Sequence, residues 1–331
     1  LATSIKDVAR HSGVSIATVS HVLNGTRHTR PQTRERVLAA VRDLGYAQNQ
    51  AARNLARGTS TLLGVIVSDV RNPFFPEITA AFQEQALAHD MDALVINTNY
   101  DAQRTLNSVR RLIGMQVPGV AIFTSQIDET VVDLLAQRRV ASVYLDLGRV
   151  DTAVSNIVLE YGQGIAASLE YLWALGHRRI SYIGGPPRLL SIARRKEAFL
   201  QSAAKLGIEV VSVLDSDFTV KGAYQVCAQI LKSNLPTAIM TGNDLTAIGV
   251  LHRAYDAGLR VPEDLSVVGF DDILLAEYTQ PALTTVAVPR QEIGSLAFET
   301  LWAMMSDPEL TGRELRVPTK LRIRQSSGPP R

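Results

Sequence analysis

"VSIATVSHVLNG", residues 14–25, decides how the N-terminal part of this chain is read. Wound as a helix from Ser15 at about 100° per residue, it sets Val19, Val22 and Leu23 on one face and Ile16, Ala17, Ser20 and His21 on the opposite one. The second face begins with Ile and Ala where a solvated helix carries charge. Apolar side chains held outward at a helix start ask for a partner surface.

The flanking residues supply the setting. Ser4, with Asp7 three positions on, makes a capping box ahead of Ile5, Val8 and Ala9. Gly13 permits a tight turn, Ser15 caps the second helix, and Asn24-Gly25 ends it. "RPQTRERVLAAVRDLGY", residues 30–46, then gives a third helix with Pro31 near its start and Val37, Leu38, Val41 and Leu44 facing inward. Helix, glycine turn, helix and bracing helix is the layout of a helix-turn-helix. In that layout the start of the second helix meets base edges in the major groove, where Ile16 and Ala17 pack against thymine methyls and Ser20 and His21 reach bases or phosphates. Ser15, Thr18 and Asn24 on the same helix are counted with them. A plain three-helix bundle with an incidental outward Ile is the competing reading.

Charge separates the two. Residues 1–60 hold nine Lys/Arg against Asp7, Glu35 and Asp43, a net of +6, whereas the remainder carries a net of −4 within an overall +2. A basic module on a mildly acidic body points to a polyanion at one end. The length of 331 residues suggests two or three domains, and 46% apolar with 20% charged residues describes a soluble globular chain. No apolar run approaches the ~18 residues of a membrane span, and the N-terminus carries no basic flank followed by an apolar stretch, so neither a membrane partner nor a secretory signal is expected. Cys227 is the single cysteine, which rules out an internal disulfide and favours a cytoplasmic location.

From Thr61 the pattern changes. "LLGVIVS", "DALVINT", "GVAIF", "ASVYLD", "ISYIG", "TAIMTG" and "LSVVGFD" alternate with helical stretches such as "EITAAFQEQALAHD" and "IAASLEYLWALG". Apolar strands separated by helices imply parallel sheets covered on both faces, too many for one sheet and so two doubly wound lobes. Ligands bind beyond the carboxyl ends of such strands. Asp146, Asn243 with Asp244, and Asp271 stand at strand ends, although Asn243 or Asp244 serves equally as a helix cap. In "SDVRNPFFPEI", residues 68–78, Asn72-Pro73 forms the turn, and two adjacent Phe residues are not expected to share one layer, so one of Phe74 and Phe75 lines the cleft.

Enzymatic signals are poor: there is no phosphate-loop lysine motif, no G-x-S-x-G elbow and no His or Cys cluster with metal spacing. "GQGIAA" at Gly162 matches a dinucleotide loop loosely, but no acidic residue follows at a strand end about twenty positions on, and helix packing accounts for its glycines. Neither a cofactor nor a metal is expected, and the chain does not read as an enzyme.

"SIKDVARHSGVSIATVSHVLNG", "TRERVLAAVRDLGYAQNQAARNLARG", "NPFF", "GHRRISYIGG", "TGNDLTAIGV", "LSVVGFDD" and "LTTVAVP" occur in the order and spacing of the lactose-repressor (LacI/GalR) family of bacterial transcription regulators, which the sequence resembles nearly end to end. The resemblance implies an all-α helix-turn-helix DNA-binding headpiece over residues 1–47 and a hinge helix and linker over 48–60. It further implies an α/β effector-binding and dimerisation domain over 61–331, built of two doubly wound parallel-sheet lobes and periplasmic-binding-protein-like. The N-lobe would hold about 61–158 and 289–319, the C-lobe about 159–288 and 320–331.

Ile16, Ala17 and His21 match the family's base-reading positions, His21 replacing a frequent Arg. Leu55 would wedge between base steps in the minor groove, with Arg53 and Arg57 near phosphates. Effector contacts carry over to Asn72, Phe74, Phe75, Asp146, Ser191, Arg195, Phe218, Asn243 and Asp271, with Arg195 a bidentate partner for a polyhydroxylated ligand. The implied protein is a repressor that binds a double-stranded, pseudo-palindromic operator as a homodimer under control of a sugar or polyol. Leu147 stands where many sugar sites carry Arg, and Arg188 and Arg194 lie close in sequence, so a nucleobase-like or anionic corepressor is the alternative. A periplasmic-type sugar-binding transport protein would share the body but has no use for residues 1–60.

Overall fold

The computed structural model describes residues 3–25, 27–47, 60–124, 128–232, 235–307 and 309–331; Arg53, Leu55 and Arg57 lie outside the described residues. The chain divides into two units, Leu1–Ser60 and Thr61–Arg331.

In the first unit, α1 (Ile5–Ser12), α2 (Ile16–Asn24) and α3 (Pro31–Asp43) enclose a core of Val8, Val19, Val22, Val37 and Ala40. The Asp7 carboxylate accepts from the Ser4 backbone N–H at 3.0 Å and the Ser4 hydroxyl at 2.6 Å, which anchors the start of α1. Ser15 Oγ accepts from Thr18 N at 3.1 Å and opens α2. Gly13 and Gly25 close the two helices at φ +64° and +63°, the left-handed conformation that only glycine adopts freely.

The second unit carries two six-stranded sheets. The first contains β1 (Leu62–Val67), β2 (Asp92–Asn97), β3 (Gly119–Phe123), β4 (Ala141–Leu145), β5 (Val154–Glu160) and β11 (Glu314–Pro318) in the order β11-β5-β4-β3-β1-β2, parallel throughout. The helices α4 (Phe74–Ala88), α5 (Ala102–Gly114), α6 (Glu129–Gln137) and α12 (Arg290–Ser306) belong with it. The second contains β6 (Arg179–Gly184), β7 (Glu209–Asp215), β8 (Ala238–Thr241), β9 (Ser266–Asp271), β10 (Thr284–Ala287) and β12 (Lys320–Arg322) in the order β12-β10-β9-β8-β6-β7. Here β12 runs antiparallel to β10, an edge that departs from the all-parallel expectation. Around this sheet lie α7 (Tyr161–Ala174), α8 (Leu190–Leu206), α9 (Val220–Ile230), α10 (Asp244–Asp256) and α11 (Leu275–Tyr278). The chain passes between the sheets after β5, after β10 and after β11.

Seven apolar runs are readable as strands in the sequence, and β5, β7, β10, β11 and β12 add to them. In β5, "VSNIVLE", the apolar run is broken by Ser155 and Asn156, both buried because each has a partner. Asn156 Oδ1 accepts from Leu147 N at 2.9 Å, and Ser155 Oγ from Arg313 N at 3.0 Å.

Of the "GQGIAA" glycines only Gly164 is required by packing. A Cβ there would lie 2.2 Å from Val286 Cγ1 and 2.7 Å from Thr319 Oγ1, whereas nothing among the described residues stands within 4 Å of one on Gly162. Gly164→Ala should therefore overpack the contact between α7, β10 and the final crossing, at a cost of about 1–3 kcal/mol. Urea unfolding checks this: the midpoint should fall at unchanged slope, and a wild-type midpoint would contradict it.

Candidate functional site

In the first unit the outward face of α2 is as the sequence reading has it. Ile16 is 44% exposed, Ser15 and Ala17 are exposed, and Thr18, Ser20, His21 and Asn24 are half-buried. Asn24 Nδ2 donates to Ser20 Oγ at 3.1 Å, which fixes the far end of this face. Every Lys and Arg among the described residues of the unit is exposed.

In the second unit, parallel strands end on a common side, so the residues that follow them converge. Asn72, Phe74, Phe75, Asp146, Ser191, Arg195, Phe218, Asn243 and Asp271 all line one cavity between the two sheets. Asn72 Oδ1 accepts from Phe74 N at 3.1 Å and starts α4. Phe74 and Phe75 are both buried and both line the cavity, with ring centroids 5.2 Å apart and planes at 89°. The expectation that only one Phe lines the cleft does not hold. In the first turn of a helix, successive side chains diverge by only about 100°, and two can share a wall.

Asp146, Phe218 and Asp271 stand at φ +61°, +65° and +113°. Such conformations cost a non-glycine residue about 1–3 kcal/mol each and concentrate at functional sites. Asp146 Oδ1 accepts from Leu159 N at 3.1 Å, Oδ2 accepts from the Tyr161 hydroxyl, and Arg194 Nη1 lies 3.6 Å from Oδ1. Burial nevertheless holds this carboxyl above its ordinary range. Burial lifts Asp271 to about 6, against the pull of Arg195 and Arg290.

Arg195 lies between two rings, 4.8 Å from the Tyr161 centroid and 4.1 Å from that of Phe270. Its Nη1 donates to the Gly242 carbonyl and stands 3.5 Å from Asp271 Oδ1. The fork expected to be free for a ligand is thus partly committed to the protein, because a guanidinium buried this deeply must find acceptors. Desolvation works against its charge, and Asp271 and Tyr161 outweigh it to raise its pKa.

Asn243 fulfils the cap role, with Oδ1 accepting from Thr246 N at 2.9 Å, while its Nδ2 is buried without a hydrogen-bond partner among the described residues. Asp244 is no wall residue. It braces β9 and β10 from behind, accepting from Thr285 Oγ1 and, at 2.8 Å, from Ile273 N. Among the described residues, three buried polar atoms of cavity-lining side chains have no hydrogen-bond partner: Arg195 Nε, Asn243 Nδ2 and Asp271 Oδ1. Two donors and one acceptor among aromatic faces suit a molecule whose groups both give and take hydrogen bonds.

Tyr100 and Tyr161 also line the cavity and escape the sequence reading. Tyr161 follows β5, the strand whose polar interruption hides it. Leu147 lies outside the lining and packs against the hydrophobic cluster that contains Ile122 and Tyr144; Arg188 is exposed and also outside it, while Arg194 reaches Asp146 from a partly exposed position. Among the described residues, no group of three or more His, Cys, Asp or Glu could hold a metal ion, and no helix is long and apolar enough to cross a membrane. Cys227 is buried away from the cleft, its thiol pushed up to about 12 by desolvation.

The pattern of bacterial regulatory proteins of the lacI family matches residues 4–49, and that of a periplasmic binding protein-like domain matches residues 169–327. The HTH-type transcriptional repressor PurR of Photobacterium profundum is 34% identical over 98% of each chain. Catabolite control protein A of Priestia megaterium is 29% identical over 98% of this chain and 99% of that one. Among solved structures, the lac repressor bound to ONPG in the repressed state superposes with a TM-score of 0.87 at 27% identity, covering 99% of this chain and 100% of that one. A LacI family transcriptional regulator from Enterococcus faecium with bound ribose gives 0.73 at 26% identity, covering 81% and 99%.

Proposed function

This chain belongs to the lacI family of bacterial regulatory proteins, and from that premise we propose that it is a homodimeric repressor whose grip on a pseudo-palindromic operator is set by a sugar or polyol held in the cleft. The observation that carries the effector class is the trio of buried wall atoms without a hydrogen-bond partner, Asp271 Oδ1, Arg195 Nε and Asn243 Nδ2. A hydroxyl donates to the carboxylate while accepting from a neighbouring N–H, and adjacent hydroxyls on one ring do this in pairs. The aromatic faces of Phe74, Phe218 and Tyr161 meet the apolar face of such a ring. Ribose in one similar structure supports the same class.

The headpiece sets the transport-protein reading aside, because an exposed Ile16–Ala17 face on a basic three-helix unit serves DNA and not a permease. Signal would pass from the cleft to the headpiece through residues 48–60, which join the two units in sequence. To carry operator occupancy from nearly full to nearly empty, the effector must prefer one state by about 10⁴-fold, roughly 5.5 kcal/mol.

The test is selection of a binding duplex from a random pool, then titration of the protein on that duplex with pentoses, hexoses and polyols set beside free purine and pyrimidine bases. A change in operator affinity with a sugar or polyol alone is expected; a response confined to the bases would move the effector to the nucleobase class. Ile16→Ser should weaken binding to the selected duplex by about tenfold, the worth of one good base contact, and leave binding to random duplex unchanged. Equal losses on both duplexes, read by fluorescence anisotropy, would take Ile16 out of base reading.

A further inference from the structure

Arg290 opens α12, a helix seated on α4 so closely that a Cβ on Gly294 would lie 2.3 Å from the Ile78 carbonyl oxygen. Its guanidinium leaves that lobe. Nη1 donates to the backbone carbonyls of Asp271 and, at 3.3 Å, of Val288, and Nη2 donates to that of Asp272, both aspartates lying in or just after β9 of the other sheet. Nε remains on the near side, 2.8 Å from Oε2 of Glu77 on α4. The side chain is 11% exposed.

The two carbonyls belong to an unusual piece of backbone. Asp271 and Asp272 follow one another at φ +113° and +57°, conformations that non-glycine residues keep only when their surroundings hold them. Arg290 binds the carbonyls on one side of this kink. Arg324 at 2.7 Å and Arg322 at 3.2 Å bind the Asp272 carboxylate on the other. The result of the kink is that Asp271 lines the cleft with its Oδ1 near Arg195 but without a hydrogen-bond partner.

We infer that Arg290 is a positioning residue for the cleft: its planar fork holds the Asp271–Asp272 kink that aims the Asp271 carboxylate at the ligand, and its bond to Glu77 ties that aim to α4 of the opposite lobe. This rests on the cleft being the effector site. The fork is the essential element, because a guanidinium reaches two carbonyls at once and an ammonium is a point donor.

Arg290→Lys keeps the charge and removes the fork, which separates aim from electrostatics. The groups facing the Asp271 carboxylate are Arg195 of α8, Arg290 of α12, Glu77 of α4, Asp244 at the start of α10 and Tyr100 after β2, with Asp272 adjacent. Released from the kink, Asp271 turns toward water, and its titration falls from about 6 toward the ordinary carboxylate range. Loss of a neighbouring positive charge without release would move it upward instead. In protein labelled at the aspartate carboxyl carbon and assigned with Asp271→Asn, the Asp271 midpoint should drop by about one pH unit or more in Arg290→Lys. Amide exchange at residues 271–273 should rise about tenfold while β3 is unaffected. Glu77→Ala, which removes the acceptor that holds the guanidinium to α4 and spares both aspartate carbonyl bonds, should raise the same exchange by about threefold, and it carries the test should Arg290→Lys fail to fold. A wild-type midpoint with wild-type exchange overturns the assignment, as does an upward midpoint. Neither readout uses an effector, so a cleft that binds no sugar sinks the sugar reading and leaves this one standing.

Discussion

Asp271→Asn should resist urea better than the wild type at pH 7 and yet give no response to the effector. Burial lifts the folded carboxyl from the ordinary 3.8 to about 6. At about 1.36 kcal/mol per pH unit, the ionised form costs the folded state about 3 kcal/mol. The sign follows from proton counting. Between these two values the native protein holds more protons than the unfolded chain, so this group's contribution to stability is complete below about 4 and is lost as pH rises through about 6. Asn carries no charge to desolvate and nearly the same volume. Its advantage should therefore be full at pH 7 and shrink to about half by pH 5. Urea midpoints at the two pH values measure it, and a wild-type midpoint at pH 7 would mean that the carboxylate is already compensated. The Oδ1 that lacks a hydrogen-bond donor would be replaced by an amide that offers less to a hydroxyl, so operator binding persists while its control is lost.

Arg195→Ala should act in the opposite direction, costing about 3–5 kcal/mol, because it strips a buried carboxylate of its counter-charge and leaves the Gly242 carbonyl without its side-chain donor. The stack between Tyr161 and Phe270 would go as well. Thermal unfolding should move down by several degrees, and binding of a cleft sugar should weaken by 100-fold or about that much. Arg195→Lys restores neither, since a point charge cannot both stack between two rings and reach the carbonyl. Two residues 3.5 Å apart with opposite effects on stability should not add. The double variant Asp271→Asn with Arg195→Ala should therefore lose less than the Arg195 change alone. Unchanged unfolding of Arg195→Ala would refute the buried-pair account.

The headpiece was legible because its signals are local. A cap at Ser15, glycines at 13 and 25 and an apolar stripe through Val19 and Val22 need no knowledge of the rest of the chain. Strand tips were legible for a similar reason: in a parallel sheet the carboxyl ends face one way, so Asp146, Asn243 and Asp271 converge wherever the strands are recognised. Legibility failed where burial depends on a distant partner. The Ser155-Asn156 interruption of β5 is tolerated because Arg313 and Leu147 supply donors, and with β5 unseen Tyr161 had no place. Arg290 was equally hidden, since its partners at Glu77 and Asp271 are remote in sequence.

The most direct measurement is the affinity of wild type and Asp271→Asn for the selected duplex, by fluorescence anisotropy at about 0.15 M salt, each with and without the sugar or polyol that shifts the wild type. Equal affinity for the bare duplex and a shift in the wild type alone are expected. The same shift in both proteins would place the effector outside this cleft and contradict this expectation.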